Sequence, residues 1–257
     1  MTSRLALVLA LAAACACTQK KEPPPRATPK PLAPLEPVRA ADAGAVAEDD
    51  PLYQVVPVPL VGPKPPENAT LVTLDGEKAL VGGAPLDLKT VKPPLLLAPT
   101  EDTWLVQAAP LLAALDDAGV EVWIKHPDAE IAWRLTLRDE AAFQKWLDEP
   151  VPGKLRVIHR ADGFELQTNM GKLNGADPNG PTVPVRGGKM DLATLRRGFE
   201  RVQSRFTNAP DYCFLPSFGM ELAQTTRAMV ANQLTASEAF FAGTCLVYPR
   251  PAADAGR

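Results

Sequence analysis

One order of elements occurs twice in this chain, and that recurrence limits the folds open to it. Residues 70–74 (TLVTL) and 78–81 (KALV) are short apolar runs joined by Asp75-Gly76. Asp-Gly supplies the positive φ that a tight turn requires, so the pair predicts a β-hairpin. Residues 95–98 (LLLA) are short enough for a buried strand. Residues 103–117 then carry Trp104, Ala108, Leu111, Leu112 and Leu115 at helical spacing, with Gly119 as a stop and Pro110 expected to kink the helix or delay its start. Residues 120–124 (VEVWI) follow as a strand. Later, residues 164–168 (FELQT) and 182–186 (TVPVR) resemble the hairpin with a longer connection, and 187–195 (GGKMDLATL) parallels 82–91 (GGAPLDLKTV) with one residue fewer. Leu97-Ala98-Pro99-Thr100 parallels Phe214-Leu215-Pro216-Ser217, and Gln107 and Gln224 each lie eight residues past their proline, both at an offset of 117. This is the pattern of a duplicated domain.

The copies differ. Residues 191–206 of the second read as a full amphipathic helix, with Asp191 as N-cap and Leu192, Leu195, Phe199, Val202 and Phe206 on one face. The matching place in the first, residues 87–92, has room for barely a turn before Pro93-Pro94. Between the copies, residues 131–137 read as a strand, 138–147 as a helix and 155–159 as a strand, with no indication whether they complete the first sheet or bridge both. The expected fold class is α+β: two small repeated modules, each a mixed β-sheet with helices packed on one face, after a disordered Pro-rich tether.

The start of the chain constrains where it works. Arg4 precedes an unbroken apolar stretch, residues 5–14, which reads as the core of a cleaved signal. About ten residues are too few to span a bilayer, which needs roughly 20. Cys15 and Cys17 stand directly behind it in AAACACTQKK, and a small-residue run ending in cysteine resembles the lipobox of bacterial lipoproteins. Lipidation is expected on Cys17 or Cys15, which tethers the chain to a membrane facing the periplasm. An ordinary signal with incidental cysteines is the plainer alternative.

Of 28 prolines, roughly half fall between Pro23 and Pro66, a composition poor in buriable apolar surface. Residues 1–17 are therefore read as signal and lipobox, 18–66 as linker, 67–126 as the first module, 127–154 as a connecting segment, 155–250 as the second module and 251–257 as a tail. Tyr53 and the valines that follow it could add an edge strand. A net charge of −3 with no visible basic stripe argues against nucleic acid as a partner.

The repeats resemble the periplasmic domain of the ExbD/TolR family, small partners of proton-driven motors in bacterial envelopes. The resemblance is carried by Leu74-Asp75-Gly76, by Val81-Gly82-Gly83-Ala84-Pro85-Leu86-Asp87-Leu88, by the strand and helix that follow, and by Ala118-Gly119-Val120-Glu121-Val122-Trp123-Ile124. It covers about 60 residues of the first copy and about 90 of the second. It implies a compact α+β module with two helices on a sheet and a tendency to pair or to contact envelope components. The family's energy-coupling aspartate sits in an N-terminal transmembrane helix, and here a cleavable signal takes that place, so the motor role has no residue to carry it.

Four cysteines leave Cys213 and Cys245 outside the anchor, on strands that the duplicated module makes neighbours in an oxidising compartment. A disulfide between them is expected, with two buried thiols as the alternative; a metal site needs more ligands than lie near. Only His126 and His159 could serve as catalytic histidines. His126-Pro127-Asp128 matches a co-chaperone tripeptide without that domain's helices, His159 ends a strand, and Ser217 lacks a Gly-x-Ser-x-Gly elbow. Asn174, Asp177 and Asn179 could supply oxygen ligands to calcium, but Asx plus glycine is ordinary turn chemistry. Asp49-Asp50 and Asp116-Asp117 read as solvated charges, and Trp104, Trp123, Trp133 and Trp146 as core. No catalytic residue, metal or cofactor is expected. The chain reads as a non-catalytic binding or scaffolding lipoprotein for an envelope protein or the cell wall. The alternatives are an accessory part of a transport complex of the resembling family, or a hydrolase with an unfamiliar site.

Overall fold

The structure, a computed structural model, describes residues 60, 62–206, 211–232 and 243–251. The signal, Cys15, Cys17, nearly all of the Pro-rich segment with Tyr53, and residues 252–257 lie outside the described residues. Among the described residues the architecture is mixed α+β: a 12-stranded mixed sheet with four helices.

The first strands form where expected. β1 (Thr70–Asp75) and β2 (Lys78–Val81) pair antiparallel around Gly76-Glu77, with Gly76 at φ 57. Gly82 (φ 58) and Gly83 (φ 86) then turn the chain into the two-residue β3 (Ala84–Pro85). β4 (Leu95–Pro99) lies parallel to β1, and β5 (Val122–Lys125) parallel to β4. Between β4 and β5 runs α1 (Leu105–Asp117), with Pro110 inside it. That proline is exposed, as is Val106. The carbonyl left without its helical donor is that of Val106, on the side of the helix that water reaches, so the helix tolerates the break.

β6 (Ala132–Arg138) pairs antiparallel with β5, and α2 (Glu140–Asp148) follows it. β7 (Leu155–Arg160) and β8 (Gly163–Thr168) form a second tight hairpin around Ala161-Asp162. β9 (Gly171–Lys172) and β10 (Val183–Pro184) both pair antiparallel with β8. They are two pieces of one partner strand, separated where residues 174–181 bulge out. α3 (Leu192–Arg205) comes next, capped by the Asp191 carboxylate on the Thr194 N–H, as its sequence predicts. β11 (Asp211–Pro216), α4 (Leu222–Ala228) with a 3-10 turn at Met229–Asn232, and β12 (Gly243–Val247) complete the fold.

From one edge the sheet reads β3-β2-β1-β4-β5, from the other β10-β8-β7-β11-β12, and β6 lies between, antiparallel to β5 and parallel to β12. The connecting strand thus bridges both ends, and the strands that two separate sheets were expected to hold join one. Register agrees as well as order: Leu74 pairs with Pro99 as His159 pairs with Pro216. The Thr100 N–H donates to the Leu74 carbonyl and the Ser217 N–H to that of His159, each at 2.9 Å.

Two correspondences drawn from sequence are corrected by this pairing. By position in the sheet, β7–β8 stands where β1–β2 does, and the pairing of 164–168 with 182–186 stands where β2–β3 does, with residues 174–181 bulging out of it. Gly187 and Gly188 (φ 53 and 73) close a bridge between Arg186 and Lys189 beyond β10, so they do not occupy the place of Gly82-Gly83.

Alternate strand residues point to opposite faces. Tyr212 and Phe214 of β11 face α1, α3 and α4 and share a core with Leu112, Leu195, Phe199 and Leu222. Cys213 and Leu215 face the other way, where α2 covers them with Phe143, Trp146 and Leu147. The helix α2 is held by the buried Lys154, whose ammonium donates to the Trp146 and Glu149 carbonyls at its C-terminal end. Trp104, read as core, is 41 % exposed because it precedes α1 in extended conformation, whereas Trp133 and Trp146 are buried.

Gly163 tests the β8–β10 contact. It has φ +139, and a Cβ there would lie 2.1 Å from the Val183 carbonyl oxygen, a backbone atom that cannot swing aside. Gly163→Ala is expected to cost about 3 kcal/mol or more of unfolding free energy, measurable by urea denaturation.

Candidate functional site

The structure joins Cys213 and Cys245 in a disulfide across directly paired positions of β11 and β12. Both cysteines are fully buried beneath α2, and Arg138 lies with its guanidinium 3.5 Å from the Cys213 sulfur. The bridge ties two strands whose connection runs through α4, which is a structural task.

Neither histidine sits in an open cleft. His159 is 1 % exposed, stacks on Phe164, and hydrogen-bonds Thr225 Oγ1 through Nδ1 at 2.9 Å. Burial pushes its pKa down to about 4, so the ring is neutral. His126, 2 % exposed, accepts the Asp128 N–H on Nδ1 at 3.0 Å. Burial lowers its pKa, the Asp128 carboxylate opposes this, and Arg227 adds to it. The His-Pro-Asp tripeptide is therefore a turn whose imidazole braces its own backbone. Ser217 belongs to the loop after β11, where its N–H holds His159's carbonyl.

The Asx-rich bulge is also turn chemistry. Asp177 accepts the Asn179 N–H, and the Lys172 ammonium donates to the Pro178 and Gly180 carbonyls. A protein cation therefore already occupies the oxygens that this loop turns inward. Among the described residues, no group of three or more His, Cys, Asp or Glu side chains is placed to hold a metal, and no helix is long and apolar enough to cross a membrane.

What the structure adds is a junction that the sequence did not mark. The loops after β4 and β11 lie four strand steps apart on oppositely directed strands, yet they meet. A sheet turning roughly 20–25° per strand accumulates near a right angle over that distance, which carries diagonal corners toward one another. There the Leu105 N–H donates to the Met220 carbonyl (3.1 Å) and the Leu222 N–H to the Thr103 carbonyl (2.8 Å), about a bridge pairing Trp104 with Glu221. Each atom in one bond has its counterpart 117 residues away in the other, so the contact is reciprocal.

Two ionic clasps flank it. After β5, Asp128 reaches Arg227 of α4 at 2.6 Å, and Arg227 also pairs with Glu101. The guanidinium holds both carboxyls below their usual range. After β12, the Tyr248 hydroxyl donates to Asp116 at 2.7 Å, and Arg250 pairs with Asp117 (2.9 Å) and Asp139 (2.7 Å). The acids read as solvated charges therefore hold the end of β12 to α1.

At this junction large apolar side chains face solvent. Phe218 is 61 % exposed, Val106 53 % and Trp104 41 %, and the Trp104 ring lies over Gly219. Beside them a cavity of about 300 Å³ is lined by Leu105, Phe143, Leu215, Pro216, Val247 and Phe218, with Glu140 as its charged member. Comparison with protein-family models, with curated proteins and with solved structures gave no match. The cavity is bordered mainly by apolar side chains from α1, α2 and the ends of β11 and β12, with Glu140 as its charged member.

The sequence pattern missed this groove because its members come from four separated stretches. Exposure of Phe218 has no local signal, since Ser217-Phe218-Gly219-Met220 reads equally well as an apolar loop buried on the sheet.

Proposed function

We propose that the chain is a lipid-anchored envelope lipoprotein that acts as a non-catalytic binding protein, docking a partner of the envelope in the apolar groove beside Trp104, Val106 and Phe218. The observation that carries this reading is the exposed Phe218 on a mostly apolar cavity that Leu105 also lines, with the two neighbours of Leu105 in the chain, Trp104 and Val106, exposed as well. Singly exposed apolar residues need no explanation; a contiguous set beside a groove does.

We also read the body as two copies of an ExbD/TolR-like module fused into one sheet. The shared strand order, the matched registers of β1–β4 and β7–β11, and the reciprocal hydrogen bonds at an offset of 117 support a duplication whose halves kept a two-fold relation. The family assignment rests on the sequence motifs alone. Residues 1–17 support the anchor, and a buried disulfide suits an oxidising compartment.

The anchor is tested by growing cells with labelled palmitate. Incorporation is expected in the wild type and lost on substitution of the modified cysteine, tried as Cys15→Ser and Cys17→Ser separately and together. Label that persists in the double variant contradicts the reading.

A further inference from the structure

The bulge between β9 and β10 contains both Asn-Gly pairs of the sequence, Asn174-Gly175 and Asn179-Gly180. In such a pair the backbone nitrogen of the glycine can attack the side-chain amide carbon of the asparagine before it, because no side chain stands in the way. The structure treats the two pairs differently.

Asn179-Gly180 is braced. The Asn179 N–H donates to the Asp177 carboxylate at 2.9 Å, the Gly180 N–H to the Asp177 carbonyl at 3.2 Å, and the Lys172 ammonium to the Gly180 carbonyl at 2.6 Å. The nitrogen that would have to attack is itself engaged. Asn174-Gly175 has none of this. Asn174 is exposed, and among the described residues neither its side-chain amide nor the Gly175 N–H makes a hydrogen bond. Yet the fold requires glycine at 175. The residue is buried, and a Cβ there would lie 2.7 Å from the Pro181 carbonyl oxygen and 2.8 Å from that of Thr182. Packing therefore selects at 175 the one residue whose nitrogen is least shielded from the neighbouring amide.

We propose that Asn174 is a modification site, at which the folded chain deamidates spontaneously through a cyclic imide. The Gly175 nitrogen bonds to Asn174 Cγ, the Cγ–Nδ2 bond breaks, and ammonia leaves with the proton that the Gly175 nitrogen gives up. Water then opens the ring at one of its two carbonyls, leaving aspartate or isoaspartate. The sum is one water taken up for one ammonia lost, with no oxidant or reductant. Either product puts a carboxylate on the bulge, and isoaspartate also adds a methylene to the main chain. That extra length enters beside a fixed point. The Leu173 N–H donates to the Leu166 carbonyl at 2.8 Å, and the Thr182 hydroxyl donates to the Leu173 carbonyl at 2.8 Å while accepting the Leu166 N–H at 3.0 Å. Lengthening the chain just after Leu173 displaces Gly175 from residues 181–182 and loosens the hold of β10 on β8.

The test incubates the purified full chain in mildly alkaline buffer and follows the tryptic peptide 173–186, which carries both asparagines between the cuts at Lys172 and Arg186. Fragmentation assigns the acid to 174 or 179 and separates isoaspartate from aspartate. Conversion at 174 is expected to run roughly tenfold or more ahead of 179, because the hydrogen bonds on Asn179 and Gly180 must open before that nitrogen attacks. In concentrated urea the two rates should converge, since neither pair is then braced. Asn174→Gln should keep its urea midpoint over an incubation in which the wild-type midpoint falls. Equal rates at 174 and 179 in the folded chain, conversion only after unfolding, or the same fall in midpoint for Asn174→Gln would each overturn the proposal.

Discussion

Cys213→Ala/Cys245→Ala is expected to lose about 3–4 kcal/mol of stability, which for a body of this size lowers the melting midpoint by roughly 10 °C. The sequence separation is 32 residues, and the bridge removes the closure entropy of that loop from the unfolded chain. The two cysteines stand opposite one another on paired strands, so the native fold already places their backbones side by side. Because both lie at 0 % exposure under Phe143 and Trp146, a reductant reaches the bond only when α2 lifts or the sheet opens. Thiol release under mild reduction should therefore follow the rate of opening and become independent of reductant concentration at high concentration. A melting midpoint unmoved by the double substitution would contradict this role.

The second large effect is acid destabilisation through His159. Its folded pKa, about 4, is depressed below the ordinary 6.5 because burial disfavours the charged ring. The unfolded chain binds the proton first, so the stability is fully present above about pH 6.5 and is lost as pH falls toward 4, by on the order of 3 kcal/mol. His126 is shifted in the same direction. The clasp carboxylates Glu101, Asp117, Asp128 and Asp139 are lowered from the carboxylate range, so their contributions fade only at still lower pH. The window between 6.5 and 4 belongs to the histidines. Leu74 and Ala108 occupy the positions that match His159 and Thr225, which suggests the repair: His159→Leu/Thr225→Ala should fold and flatten the acid limb. Urea midpoints at pH 7, 5 and 4 measure both proteins, and an equally steep limb in the variant would count against the assignment.

How far the sequence reaches is visible in particular elements. β1, β2, β4, β6, β7 and α3 lie within a residue or two of their expected places, because hydrophobic period, the Asp-Gly turn and the Asp191 cap are local signals. The offset of 117 found the matched prolines, whose positions in the registers agree. What failed were decisions that depend on distant partners. The β7–β8 hairpin was hidden because residues 155–159 read as a strand between the copies and 164–168 were paired with 182–186 instead, while residues 174–181 interrupt the partner strand of β8. Trp104 has helical spacing and apolar character, yet it sits before the helix begins and faces water. Arg227 meets Glu101 and Asp128 over separations of 126 and 99 residues, and no pattern in one sequence predicts such a pair. The groove is legible only once β6, β11 and β12 are known to end side by side.

The most direct measurement compares binding to purified envelopes by the wild-type mature chain and by Val106→Ser/Phe218→Ser. Both side chains are more than half exposed, so their truncation should leave the unfolding free energy within about 1 kcal/mol of wild type. Two central apolar anchors of an interface are together worth roughly 2 kcal/mol or more, so a loss of tenfold or greater in envelope affinity is expected. Equal affinity of the two proteins, both folded, would contradict a docking role for the groove.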